Sequence, residues 1–103
     1  MVVNGREYNS DIIIFESRVL DGWWRKKGHE LCVEDIKEVL VARPEVLVVG
    51  TGYIGLMKVL PETRKALTSR GITLIEERTS KAYKTFNKLS TTKKVVGAFH
   101  LTC

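Results

Sequence analysis

The residues most suggestive of chemistry are Gly50, Gly52 and Gly55, which follow the apolar run Val46-Leu47-Val48-Val49 in a G-x-G-x-x-G pattern. Glu76 stands a little over twenty residues further on, after a second apolar run. In a dinucleotide site such glycines admit the pyrophosphate, the helix behind them presents its N–H groups, and the acid holds the ribose. Pro61 opposes that reading. A helix beginning within the glycine turn would carry Pro61 in its interior, at a cost of about 3 kcal/mol from a lost hydrogen bond and a ring clash. A helix beginning at Pro61 fits better, with residues 53–60 as a loop or short extended segment.

Without the nucleotide, the turn keeps two readings. It is a packing turn where no side chain fits, or a strand end whose exposed N–H groups accept an anion. Ligands of open α/β sheets sit beyond the carboxyl ends of parallel strands. The second reading therefore makes Gly50, Thr51, Gly52 and Tyr53 candidate ligand-binding residues, with Arg25 or a lysine of the third helix supplying charge. His29 and His100 are the candidate general bases if the chain is an enzyme. His29-x-x-Cys32 and His100-x-x-Cys103 also imitate a two-His, two-Cys zinc site. Residues three apart on a strand point to opposite faces, so no metal and no cofactor are expected.

These groups must be positioned by regular elements. Val2-Val3 followed by Asn4-Gly5 predicts an N-terminal β-hairpin, with Tyr8 on the returning strand. Ile12-Ile13-Ile14-Phe15 predicts a strand buried on both faces, and the segment around residues 19–25 further extended structure. Val33, Ile36, Val39 and Leu40 mark an amphipathic helix ended by Arg43-Pro44. Val46 to Val49 predicts a central strand covered on both sides. Pro61 opens a second helix, which Gly71 stops. Residues 72–75 predict the next strand. Thr79 or Ser80 caps a third helix with Ala82, Tyr83, Phe86 and Leu89 as its apolar stripe. Residues 95–101 close the fold as a strand. The expectation is a single α/β domain over residues 1–103, three-layered, with a mixed, mainly parallel central sheet and about three helices.

The 103 residues suit one domain that folds without metals or disulfides. They are 44% hydrophobic and 28% charged, an ordinary globular balance. The longest apolar runs are about four residues, far short of the roughly 20 that span a membrane. The N-terminus lacks the pattern of a signal peptide, so a cytoplasmic location is expected. The charge of +5 is uneven. Residues 1–77 hold eleven Lys or Arg against twelve Asp or Glu, whereas residues 78–103 hold six bases and no acid. Lys81, Lys84 and Lys88 thus become candidate partner contacts, against the alternative of a solvated helix face. Of Trp23 and Trp24, one should face the core and the other should be free to meet a protein partner.

Several features resemble one known family across nearly the whole chain. They are Gly5, Tyr8 and Asp11 in a G-x-x-Y-x-x-D start, Trp24-Arg25, Gly28-His29, Gly50-Thr51-Gly52, and Leu60-Pro61-Glu62. Thr79, Ala82 and Asn87 follow in the third helix, and His100-Leu101-Thr102-Cys103 closes the chain. The family is one of small α/β domains of unknown function from archaea and bacteria. Its eukaryotic relatives include a mitochondrial complex I assembly factor and an adipogenesis-associated protein. Cys32 matches no motif of that family, and Phe86 replaces a more usual Tyr. The resemblance implies a three-layer fold with a mixed sheet and no established catalysis. The leading expectation is therefore a non-enzymatic binding or assembly-supporting protein with an unidentified protein partner and an anion-accepting pocket at residues 50–53. The alternatives are a small enzyme with a histidine base, and a weak nucleic-acid binder using the basic last quarter.

Overall fold

The computed structural model describes residues 1–3, 5–25 and 28–101. Its centre is a five-stranded mixed sheet in the order β4 (Val19–Asp21), β3 (Ile12–Ile14), β9 (Val95–Phe99), β6 (Val46–Gly50), β8 (Thr73–Glu77). β6, β8 and β9 are parallel. β3 runs antiparallel to both β9 and β4. The hairpin β1 (Val2–Val3) and β2 (Arg6–Glu7) is present; Asn4 of its turn lies outside the described residues. A further parallel pair joins β5 (Glu30–Leu31) to β7 (Lys58–Val59), so residues 53–60 do contain a short extended segment.

Alternation along the strands builds two cores. Ile13, Leu47, Val49, Val96 and Ala98 face one side, under α1 (Lys37–Ala42) and α2 (Pro61–Ser69), with Trp23 and Leu31. Ile12, Ile14, Val46, Val48 and Phe99 face the other side, under α3 (Thr79–Leu89) and the hairpin residues Val3 and Tyr8. All five residues of β6 are buried, as a doubly covered central strand requires. These are the three layers that the periodicities predict.

The structure moves some boundaries. The first helix opens as a 3-10 turn over Val33–Ile36, and α1 proper has only six residues. It stops at Arg43, which adopts the left-handed conformation (φ 50°) because the following Pro44 disfavours continued helix. Trp23 and Trp24 lie in irregular chain rather than a strand. Neither Thr79 nor Ser80 caps α3: Arg78 holds the cap position, and Thr79 is the first helical residue with its hydroxyl turned inward. The closing strand ends at Phe99.

Candidate functional site

The three parallel strands end at one edge of the sheet, where their C-terminal loops meet. Thr79 ties these loops together from a fully buried position. Its hydroxyl donates to the His100 carbonyl at 2.6 Å and accepts from the Gly52 N–H at 2.9 Å. Its own N–H donates to the Gly52 carbonyl at 3.1 Å, while the His100 N–H donates to the Gly50 carbonyl at 2.9 Å. Thr79→Val should therefore leave a buried donor and acceptor unpaired and cost about 2 kcal/mol. Urea unfolding checks this, and Thr79→Ser should recover most of the loss.

Beside this knot lies a cluster that joins three distant parts of the chain. Asp11, at the entrance to β3, accepts from Arg25 Nη1 at 2.6 Å and from the Leu101 N–H at 2.7 Å. Its Oδ2 is also 2.8 Å from His100 Nδ1. Arg25 is buried; it donates from Nε (3.2 Å) and Nη2 (2.9 Å) to the Gly28 carbonyl, and its guanidinium stacks 4.9 Å from the Trp23 ring. Arg25 Nη2 is also 2.9 Å from His100 Nδ1. A proton on Nδ1 serves Asp11 and a lone pair there serves Arg25, so the tautomer decides which contact is a hydrogen bond. Burial pushes the Asp11 carboxyl up. The Leu101 amide, His100 and Arg25 together outweigh it and hold the group below the usual carboxylate value. The His29 ring packs edge-on to His100, with centroids 5.9 Å apart.

Arg25, His29, His100 and the glycine turn are thus brought into one neighbourhood, linked through His100 and Thr79. The residue that sequence reasoning left out of the site is Asp11. Its only signals are the final position of the G-x-x-Y-x-x-D start and the turn chemistry beside it. The turn's donors are largely committed. The Thr51 N–H donates to the Glu77 carbonyl at 2.9 Å, Gly52 to Thr79, and Gly55 to the Gly52 carbonyl at 3.2 Å. Thr51 is itself buried, with its hydroxyl donating to the Glu77 carbonyl at 3.2 Å. A Cβ on Gly50 would lie 2.8 Å from the Phe99 ring and 3.2 Å from the Thr79 backbone, so the packing role of this glycine is real.

Four apolar side chains are exposed on the loops that carry Arg25 and the glycine turn. Trp24 is 87% exposed, Ile54 62%, Tyr53 49% and Leu56 47%, whereas Trp23 is buried and donates its indole N–H to the Asp35 carbonyl. The loops bearing them lead into β5 and β7, whose parallel pairing (Glu30 with Lys58) sets both loops at the same end of that pair. Lys81, Lys84 and Lys88 stand elsewhere, on the exposed face of α3, with Lys81 3.4 Å from Glu77.

The nucleotide reading fails as Pro61 predicts: α2 begins there, and Glu76 is ion-paired with Arg64. Among the described residues no group of three His, Cys, Asp or Glu side chains is placed to hold a metal. Cys103, Lys26 and Lys27 lie outside the described residues. Burial and the nearby carboxylates of Asp35, Glu30, Glu62 and Glu34 push the Cys32 thiol up, away from the reactive thiolate. No helix among the described residues is long and apolar enough to cross a membrane. A groove of about 580 Å³ on the α3 side runs from Val3 past Phe86 to Lys94, away from the turn.

Known proteins share this architecture. A conserved hypothetical protein from Pyrococcus horikoshii is 30% identical, covered over 98% of this chain and 90% of its own, with a TM-score of 0.83. An outer membrane protein from Bartonella henselae is 26% identical over 97% of this chain and 85% of its own, with a TM-score of 0.80. A Xanthomonas campestris protein at 23% identity, covering 95% and 74% with a TM-score of 0.79, is a likeness of fold alone. A family model described as a protein of unknown function (DUF498/DUF598) matches residues 1–100. The fold, the near-complete coverage and that match agree: this chain belongs to the DUF498/DUF598 family.

Proposed function

We propose that this protein is a non-enzymatic, assembly-supporting domain that receives a protein partner on the apolar surface at the C-terminal end of its sheet. One observation carries the reading: Trp24, Tyr53, Ile54 and Leu56 are exposed on the loops adjoining Arg25 and the Gly52–Thr79 contact, whose polar groups are already satisfied. Exposed aromatic and aliphatic side chains on converging loops suit an interaction site. The resemblance to a family whose eukaryotic relatives include a complex I assembly factor points the same way.

A protein surface suits this end better than a small anion. Arg25 is engaged by Asp11 and Gly28, and the Thr51, Gly52 and Gly55 N–H groups have protein acceptors. An anion held here would have to use Arg78, whose side chain lies against Gly55, together with the Tyr53 hydroxyl. The enzymatic alternative rests on the Asp11–His100 contact, an arrangement that orients a general base.

The test uses a photoreactive phenylalanine analogue placed at Trp24, at Ile54 and, as a control, at Glu38 on α1. Adducts with a discrete protein in extracts of the source cells are expected from the first two positions only. Equal adducts from the control, or turnover in an activity screen that vanishes in His100→Ala, would refute the proposal.

A further inference from the structure

The geometry points to a second interaction surface, distinct from the apolar end: the free edge of β8 pairs antiparallel with β8 of a second copy of this chain. β8 is the last strand of the five-stranded sheet and, among the described residues, pairs only with β6. The bonds at its two ends fix which groups are left over. The Thr73 N–H donates to the Glu45 carbonyl, and the Glu77 carbonyl accepts from the Thr51 N–H. With the strand period of two, residues 73, 75 and 77 turn their backbone groups toward β6. Leu74 and Glu76 therefore turn their N–H and C=O groups outward.

Such an edge is a template for another strand. It has the regular length of five residues, and no proline or lysine interrupts it.

Self-pairing is the occupant that the strand's own sequence suits. Outward-facing residues must exchange hydrogen bonds, so Leu74 pairs with Glu76 of the second copy and Glu76 with its Leu74, making four bonds. Ile75 then lies on the two-fold axis opposite its own equivalent, and Thr73 faces Glu77 of the second copy. No carboxylate opposes a carboxylate in this register, and apolar Ile75 meets apolar Ile75. On the α2 side, Leu74 and Glu76 share a face, and Arg64 pairs with Glu76. There a groove of about 490 Å³, lined by Arg64, Thr68, Ile72 and Leu74, runs beside the edge. It leaves room for the Glu76 side chain of the second copy, close to the Arg64 guanidinium. Because the contact is one strand and its flank, it sits at the small end of stable interfaces, and the dimer is expected to be concentration-dependent.

Sedimentation equilibrium of the full chain over a wide concentration range tests this, with twice the 11.7 kDa chain mass expected at the upper end. Glu76→Pro removes an outward N–H while leaving every β6–β8 bond in place, and should weaken dimerisation at least about tenfold. Glu76→Gln should not weaken it to that extent. A second route does not depend on that variant folding. In a Cys32→Ser, Cys103→Ser background, Ile75→Cys should form an intermolecular disulfide on mild oxidation. Its Cα partner lies at the close spacing of a non-hydrogen-bonded pair. Thr73→Cys, several residues from its own equivalent, should stay uncrosslinked. A monomer at every concentration would overturn the proposal, leaving the edge to a peptide of another protein or to none. So would a dimer that crosslinks equally through both cysteines.

Discussion

Gly97→Ala is expected to destabilise the domain by about 3 kcal/mol, the upper part of the range for overpacking a filled core. For a domain of this size that lowers the melting temperature by roughly 15 °C. The cause is one aromatic ring. Phe99 is fully buried with its ring beside Gly97 of its own strand, and Tyr83 and Phe86 stand edge-on to it at 5.9 and 5.8 Å. A Cβ on Gly97 would meet the Phe99 ring and lie 2.8 Å from Phe86 Cδ1. The two rings pack edge-on against each other and Phe86 is carried by α3, so making room for the methyl group disturbs the stack. Gly28→Ala is the control, since a Cβ there would have nothing within 4 Å among the described residues. Thermal melts of the two variants should differ by the full amount. Equal melting temperatures would show that the ring stack can shift.

Asp11→Ala is expected to cost about 3–5 kcal/mol, because it leaves the Arg25 guanidinium buried without its carboxylate. The two side chains are only 14% and 5% exposed, so solvent screening relieves little of that loss. Asp11 also gives the stability an acid limb. Its folded-state pKa is below the unfolded value of about 3.9, so its contribution is complete above that value. The contribution is lost as the pH falls through the lowered folded value. Urea midpoints between pH 7 and pH 2 should therefore drop more steeply for the native chain than for Asp11→Asn. Parallel profiles would show that the cluster is not held by that carboxylate.

How much of this was legible beforehand depends on the range of the interactions. β6, α2 and the stripe of α3 were readable because period and punctuation are local: four apolar residues, a proline at the first helical turn, Ala82 and Phe86 at helical spacing. The packing role of the glycine turn was one of its two readings. Asp11, Arg25 and His100 were not readable as a unit. They are far apart in the chain, and only the antiparallel placing of β3 beside β9 brings the ends of those strands together. Thr79 looked like a cap because it stands at a helix start. The buried Gly52 N–H and His100 carbonyl claimed its hydroxyl instead. The 3-10 turn before α1 escaped because helical spacing over four residues does not distinguish the two helices.

A binding role and a catalytic one now make opposite demands on the same end of the sheet. Binding needs Trp24 and Ile54 and is indifferent to the imidazole of His100 as a base; catalysis needs the reverse. The most direct measurement is the affinity of the crosslinked partner for the Trp24→Ser, Ile54→Ser double variant, made beside its melting temperature. Both positions are exposed, so the melting temperature should hold close to that of the native chain. Binding should be lost at unchanged stability. Full binding by the double variant would contradict it.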